Sequence, residues 1–260
     1  MNPTCIFKPF GPTGPKIVLG GISTGDWRTS NLRENPQSNP GLYRRLSDLG
    51  RYFGFSKLLA PLIGDCDAKV CDISELPTII QGTAGSLSVY RGCKADGMVL
   101  RYGCAGVIAS ADCPTAIICC LETRIVIMLH CGLASLVDID FLKNGVPTRK
   151  HFSVVDAGME KVKSLYLTDP QVFITCGIKT YERKDIADVL RRKMITQGVD
   201  GSNVDLITLI KERFARYGIN NITRDTVDTF NEKSESGRHL WHSYRRDRKS
   251  GRNLVLVVNK

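Results

Sequence analysis

The sequence VLRYGCAGVIASADCPTAIICCLETRIVIMLHCGLAS, residues 99–135, decides the fold of this chain. It contains two apolar runs, at residues 116–121 and 125–129, on either side of a short polar segment suited to a tight turn. β-Branched runs bounded by turn signals predict buried strands, and so short a connection joins only an antiparallel pair. Cys113 comes just before the first strand and His130 follows the second. We therefore predict that both residues lie at one edge of the sheet.

Cys113 and His130 are candidate functional residues, although each also has an ordinary structural interpretation. Free cysteines commonly pack as small hydrophobic residues, and a histidine at a strand end is commonly a hydrogen-bonded structural residue. Three features favour a site: Asp112 precedes the thiol, Pro114 follows it, and small residues follow His130. The pair would then lie within reach of one ion or one substrate.

The composition is that of a soluble globular protein and excludes several other classes. The chain has 260 residues, of which 42% are hydrophobic and 24% charged. No stretch approaches the ~20 apolar residues of a membrane span, and the N-terminus lacks the features of a signal peptide. Ten cysteines at irregular spacing, with no Cys-x-x-Cys pair, favour free thiols over disulfides or a structural zinc site. We predict a cytoplasmic protein with no membrane partner.

The formal net charge of +10 comes largely from basic clusters in the second half of the chain. The clusters before residue 217 alternate with acids at helical spacing, which is typical of solvated helix faces. Nucleic acid is therefore not favoured as the main partner, although phosphate contacts by a basic surface would suit it. The last cluster has serine, tyrosine and glycine between Arg245, Arg246 and Arg252. This spacing indicates a local anion site.

Patterns along the rest of the chain predict one α/β domain of the α+β type. Apolar positions at helical spacing predict helices at residues 41–55, 151–165, 184–193 and 204–217, the last capped by Asn203. Buried strands alternate irregularly with these helices, and no linker or internal repeat divides the chain. We predict an irregular N-terminal arm at 1–16 and a single domain at 17–260, in which a mixed, largely antiparallel sheet is covered by helices.

Several motifs resemble those of one known family. ADCP at 111–114 and HCG at 130–132 are similar to the ADCxP and HAGWRG signatures of the YfiH/YlmD proteins. Three further segments are similar to family motifs, and all five occur along the chain in the family's order. These three are GGIS at 20–23, ADGMV at 95–99 and SYRRD at 243–247. Members of this family are described as laccase-domain proteins, polyphenol oxidases, peptidoglycan editing factors and purine nucleoside phosphorylases. The resemblance implies a YfiH-like fold.

The resemblance also implies a metal site. In the family, a QVHGxxV segment supplies the first metal-binding histidine, and counting along that motif aligns Cys66 with it. A thiolate can replace an imidazole at zinc. A second alignment, on the IQG sequence at 80–82, puts Gln81 at the ligand position instead. The implied site is zinc, in preference to copper, held by Cys66, Cys113 and His130.

The activity that the resemblance implies is that of a purine nucleoside enzyme with Cys113 and His130 as catalytic residues. Such an enzyme cleaves adenosine- or inosine-type nucleosides with phosphate and can also deaminate adenosine. Phosphorolysis needs cations that hold phosphate, and bidentate arginines suit this role. Arg245, Arg246 and Arg252 are therefore the predicted substrate-binding residues.

Two alternative functions stay open at this point. In the first, Cys113 is a nucleophile and His130 its base, without metal, as in Cys/His hydrolases and deamidases, including those acting on peptidoglycan. In the second, the chain is a degenerate, noncatalytic relative that binds a nucleoside or a partner protein. Leu133 and Ala134, which replace the Trp and Arg of the family's GWRG segment, favour this second alternative.

Overall fold

The structure is a computed structural model that describes residues 5–28, 39–63, 68–75, 78–81, 87–91, 93–194 and 196–260. The strands of the first half of the chain are β1 (Cys5–Phe7), β2 (Lys16–Gly20), β3 (Lys57–Leu59), β4 (Val70–Cys71), β5 (Thr78–Gln81), β6 (Ser88–Arg91), β7 (Gly97–Leu100), β8 (Cys104–Ser110), β9 (Thr115–Cys120) and β10 (Ile125–His130). Those of the second half are β11 (Gln171–Thr175), β12 (Thr180–Glu182), β13 (Val199–Asp200), β14 (Asn203–Asp205), β15 (Ile222–Arg224) and β16 (Asn253–Asn259). The α-helices are α1 (Pro40–Phe53), α2 (Leu133–Leu136), α3 (Ile139–Asn144), α4 (Val154–Ser164), α5 (Lys184–Met194) and α6 (Leu206–Ala215).

The strands form two large sheets and one small one. The first sheet has seven strands in the order β1-β2-β16-β8-β3-β6-β5, and the second has six in the order β15-β11-β9-β10-β7-β4. Strands β12, β14 and β13 form the small sheet. Most neighbours are antiparallel, while β3 runs parallel to β6 and β8, β11 to β15, and β4 to β7. The prediction of a mixed, largely antiparallel α/β domain is confirmed, although the strands form two large sheets and not one.

The two large sheets pack face to face, and helices cover their outer faces. Strand β16 shows how alternate side chains divide between the layers. Val255 and Val257 point to the core shared by the two sheets. Leu254 and Leu256 point the other way and pack with the apolar face of α1. On the opposite side of the molecule, α4 and α6 pack against the second sheet. The result is four layers in the order helix, sheet, sheet, helices.

The central antiparallel pair forms as the sequence predicts. Strand β10 pairs with β9 from Ile125 opposite Cys120 to His130 opposite Thr115. In the turn between them Arg124 adopts a positive φ of 50°, and the Asn259 side chain donates a hydrogen bond of 2.8 Å to its carbonyl. All six residues of β9 are buried, because the strand lies between the inter-sheet core and the helical layer.

Two sequence predictions are corrected. The arm at 1–16 is not irregular throughout, since β1 pairs with β2 from Cys5 opposite Leu19; a three-residue strand is too short to show a periodic pattern. The helix expected at 204–217 begins at Leu206, and its N-cap is Asp205, not Asn203. Asn203 lies in β14 instead. Within the described residues, every helix is too short or too polar to span a membrane.

Candidate active site

Cys113 and His130 meet at one end of β9 and β10, the two central strands of the six-stranded sheet. His130 ends β10, and Cys113 lies two residues before the start of β9, the strand paired with it. The two side chains lie close enough to interact electrostatically. Both close over Gly132, where an added Cβ would lie 3.2 Å from Cys113 Sγ and 3.2 Å from His130 Cε1. The structure thus brings together the two residues that the sequence predicted.

Asp96 stands on the other side of the His130 ring. Its Oδ1 lies 3.6 Å from His130 Nδ1, and its side chain is 1% exposed. Its carbonyl accepts a hydrogen bond of 2.6 Å from the His130 N–H, and its Oδ2 accepts one of 3.0 Å from the Ala68 N–H. With Nδ1 turned to this carboxylate, Nε2 is the nitrogen available to Cys113. The three side chains therefore form a row, Cys113–His130–Asp96.

The electrostatics of the row favour a charged imidazole. Burial by itself lowers the pKa of His130, but the negative charges of Cys113 and Asp96 beside it outweigh this effect and raise the pKa to about 10. In the absence of a metal ion, the arrangement therefore favours an imidazolium next to Cys113. A thiolate is the form of cysteine that binds metals and attacks electrophiles.

The loop that carries Cys113 is fixed from several sides. Asp112 has a φ of 83°, a left-handed conformation that costs a non-glycine residue of order 1–3 kcal/mol. Its carboxylate accepts hydrogen bonds of 3.0 Å from Thr229 Oγ1 and 2.8 Å from the Arg245 N–H. Its carbonyl accepts one of 2.8 Å from the Ile178 N–H. These contacts hold the strained residue in place and tie Arg245 to the loop.

Tyr181 and Arg245 border the site. The Arg245 guanidinium lies 4.4 Å from the centroid of the Tyr181 ring, within the range of a cation–π contact. Burial raises the pKa of Tyr181, the negative charge of Cys113 adds to this, and Arg245 opposes it. Tyr181 therefore keeps its proton at neutral pH, and the site has one aromatic face and one cation beside the thiol.

The other two predicted arginines use their side chains differently. Arg246 donates through its guanidinium to the carbonyls of Thr229, Phe230 and Trp241, at 3.2, 2.8 and 2.5 Å. Arg252 donates to the carbonyls of Ser250 and Gly251, each at 3.1 Å. Both guanidinium groups thus bind backbone in this conformation, and Arg245 is the member of the set that contacts a residue bordering the site.

The predicted third metal ligand cannot be described, because Cys66 lies outside the described residues. The chain is described again from Ala68, which donates to Asp96 beside His130. The alternative ligand, Gln81, ends β5 in the seven-stranded sheet, whereas Cys113 and His130 lie at the edge of the other sheet. Within the described ranges, no three Cys, His, Asp or Glu side chains converge as metal ligands.

The residues present fit a zinc ion by their chemistry. A cysteine sulfur and a histidine nitrogen are common zinc ligands. Metal-binding histidines usually donate the second ring N–H to a carboxylate or carbonyl, and Asp96 stands in this position. Asp96 was missed as a site residue from sequence, although it lies in one of the motifs. The available signal was the place of Asp96 in the ADGMV segment, directly before an apolar run.

The fold and the Cys–His–Asp row define a two-sheet α/β protein with a cysteine and a histidine together at the strand ends. Residues 19–260 match the family described as multi-copper polyphenol oxidoreductase laccase. The chain belongs to this laccase-like family. No curated protein matches it in sequence.

Solved structures of three bacterial proteins share the fold. YlmD from Geobacillus stearothermophilus has a TM-score of 0.66 at 17% identity, with 98% of this chain and 96% of that one covered. YfiH from Bacillus licheniformis, a hypothetical protein, has 0.64 at 16%, with 95% and 93% covered. The Neisseria meningitidis protein NMB0706 has 0.63 at 20%, with 98% of each chain covered. At these identities the likeness concerns the fold, and it supports the YfiH/YlmD resemblance.

Proposed function

We propose that this chain is a zinc-dependent purine nucleoside enzyme that cleaves adenosine- or inosine-type nucleosides with phosphate and deaminates adenosine as a side reaction. One observation carries the proposal: Cys113 Sγ, His130 Cε1 and His130 Nε2 all lie within 4 Å of the Cβ position of Gly132, while Asp96 Oδ1 lies 3.6 Å from His130 Nδ1. This is the arrangement of a metal-binding histidine with its supporting carboxylate. The family resemblance supports the choice of substrate, and Cys66 is the proposed third ligand.

The chemistry requires a bond from a phosphate oxygen to C1′ of the ribose while the bond from C1′ to the purine nitrogen breaks and the base takes a proton. A zinc ion held by Cys113 and His130 would supply a Lewis acid at the reacting centre. Asp96 keeps the proton of His130 on Nδ1 and so leaves Nε2 as a donor atom. Arg245 provides a cation for phosphate, and the protonated Tyr181 hydroxyl provides a hydrogen-bond donor for the departing base.

Chromatography of adenosine and inosine incubations, with and without phosphate, tests this proposal. We expect release of free purine base only with phosphate, together with slow formation of inosine from adenosine. Cys113→Ser should abolish both, and Cys104→Ser, which changes a buried thiol on β8, should leave both unchanged. If folded protein with bound zinc yields neither base nor inosine, the proposal is wrong. Because the family description names copper and polyphenols, the purified protein should be analysed for bound copper as well as bound zinc.

A metal-free Cys/His hydrolase or deamidase is the second candidate, because the same row is also a nucleophile, a base and an orienting carboxylate. In this function the Cys113 thiolate attacks a carbonyl carbon and His130 protonates the leaving amine. The two candidates differ in their response to chelators. Turnover of amides after complete removal of metal would favour the second candidate, and loss of nucleoside cleavage on removal of metal would favour the first.

A further inference from the structure

Three arginines lie together on the side of the molecule where α1 covers the first sheet. Arg28 follows β2, Arg45 lies in α1 and Arg252 directly precedes β16; we call these three residues the arginine cluster. Arg28 Nη2 and Arg252 Nη1 each donate a hydrogen bond of 3.1 Å to the Ser250 carbonyl. Because they share one acceptor oxygen, the two cationic groups lie within about 6 Å of each other. The proposed nucleoside chemistry uses none of the three arginines.

Asp26 lies at the centre of the arginine cluster. Its carbonyl accepts a hydrogen bond of 2.5 Å from Arg45 Nη2. Its Oδ1 accepts hydrogen bonds of 3.0 Å from the Arg28 N–H and 2.8 Å from the Arg252 N–H. Its Oδ2 lies 3.7 Å from Arg28 Nη2. All three arginines therefore contact one residue, although they come from three separate parts of the chain.

The positive charge of the arginine cluster exceeds the negative charge beside it. Within the part of the chain that the structure describes, the Asp26 carboxylate is the one acid that forms an ion pair with these arginines. Three guanidinium groups thus share one carboxylate, and like charges at such short separations repel one another. The side chains of Arg28 and Asp26 are 38% and 40% exposed, so a solute can approach the cluster from solvent.

The hydrogen bonding of the arginine cluster is also incomplete. Arg28 Nε and Arg45 Nε are buried and have no hydrogen-bond partner among the described residues. Burying a donor without a partner destabilises the protein. An anion with several acceptor oxygens would supply partners for guanidinium groups and would balance their charge at the same time.

A phosphate group meets both requirements, because it is a multiply charged anion whose oxygens accept bidentate hydrogen bonds from guanidinium groups. We propose that the arginine cluster binds the phosphate group of a small molecule, either inorganic phosphate or a phosphate monoester. The site is separate from Cys113. Trp27, between Asp26 and Arg28, packs with α1 on the outer face of the first sheet, whereas Cys113 lies at one end of the second sheet. Phosphate binding here therefore does not depend on the proposed nucleoside activity.

Titration calorimetry with inorganic phosphate and with ribose 5-phosphate tests the proposal. Arg245→Gln serves as the reference protein, because it lacks the cation proposed for the substrate phosphate. We expect this variant still to bind phosphate at one site per chain, and its melting temperature to rise with phosphate concentration, since a ligand of the native state stabilises it. The tighter of the two compounds identifies the form of the ligand. Loss of all phosphate binding in Arg245→Gln would overturn the inference and would leave the proposed function standing.

Matched variants separate the arginine cluster from general attraction to a basic surface. In the reference protein, Arg28→Gln should weaken phosphate binding by about tenfold or more, because charge-assisted hydrogen bonds are lost. Arg252→Gln should show the same loss, and circular dichroism verifies that both variants are folded. Arg44→Gln removes an exposed arginine of α1 next to Arg45 and should leave the affinity unchanged. Equal weakening by Arg28→Gln and Arg44→Gln, or binding of an oligonucleotide but of neither small phosphate, would overturn the proposal.

Discussion

At the scale of single residues, the site depends on which nitrogen of His130 faces which neighbour. Asp96 lies 3.6 Å from Nδ1 and so directs Nε2 toward Cys113. The sequence predicted Cys113 and His130, because a thiol and an imidazole flank two consecutive strands. It did not predict Asp96 as their partner, because that pairing depends on the position of β7 beside β10. Spacing along the chain does not reveal which strands are neighbours.

Replacement of Asp96 by asparagine tests the role of this carboxylate. Asp96→Asn keeps the size of the side chain and one acceptor but removes the negative charge behind His130. Loss of such a supporting carboxylate typically costs about 10–100-fold in activity or metal affinity, and we expect a loss in this range. Asp72→Asn is the matched control, since Asp72 is a buried carboxylate paired with Arg101 at 2.8 Å. Equal activity of the two variants would contradict the assignment.

Gly132 is predicted to be required because Cys113 and His130 leave little room for a side chain at this position. Its φ of −69° suits any residue, yet a Cβ would lie 3.2 Å from both Cys113 Sγ and His130 Cε1. Gly132→Ala should therefore reduce metal content and activity about tenfold or more with little change in thermal stability. Gly41→Ala, whose Cβ would lie 3.8 Å from Asn39 Oδ1, should leave activity unchanged. A fully active Gly132→Ala would show that the two side chains are not packed over this glycine.

At the scale of elements, the sequence predicted long, periodic segments well and their ends less well. The central antiparallel pair and α1 lie within a few residues of their expected bounds. Helix α6 begins later than expected, because residues 203–205 pair with β12. A tertiary strand pairing thus overrides the local helical pattern, and Asp205 becomes the cap.

The observed cap leads to a paired prediction on stability. Asp205 Oδ1 accepts hydrogen bonds from the Ile207 and Thr208 N–H groups at 2.9 and 3.1 Å. Asp205→Ala should therefore lower the free energy of unfolding by about 1–2 kcal/mol. Asn203→Ala, at an exposed position in β14, should lower it by less than about 0.5 kcal/mol. Urea denaturation of both variants measures this difference, and a larger loss for Asn203→Ala would favour the cap expected from sequence.

At the scale of the whole molecule, the sequence predicted the fold class but not its layering. The continuous apolar run at residues 254–258 of β16 indicates that both faces are buried, yet it does not reveal that a second sheet covers one face and α1 the other. The candidate site divides in the same way. Cys113 and His130 are neighbours through one hairpin, whereas Asp96, Tyr181 and Arg245 reach the site from distant parts of the chain.

The pH dependence of stability is predicted from Asp225, which directly follows β15. Burial raises the pKa of Asp225 to about 6, although its carboxylate accepts hydrogen bonds from the Cys176 and Val227 N–H groups. The native state thus favours the protonated acid. Its contribution to stability is complete below the ordinary pKa of about 4 and is lost as the pH rises through about 6.

Asp225→Asn removes this titration. Between pH 4 and pH 7, the free energy of unfolding of the wild type should fall relative to the variant by an amount of order 1–3 kcal/mol. Urea midpoints across this range measure the difference, and groups common to both proteins cancel. A difference that does not change with pH would contradict the raised pKa.

The zinc content of the purified protein and of three variants tests the proposed centre most directly. With Cys113, His130 and Cys66 as ligands, the wild type should carry one zinc per chain. Cys113→Ala and His130→Ala should carry none, and Cys66→Ala should lose most of it, because removal of a ligand weakens the site. If Cys66→Ala alone retains full zinc, the third ligand is elsewhere. If Cys113→Ala and His130→Ala retain stoichiometric zinc, the metal centre is not at the ends of β9 and β10.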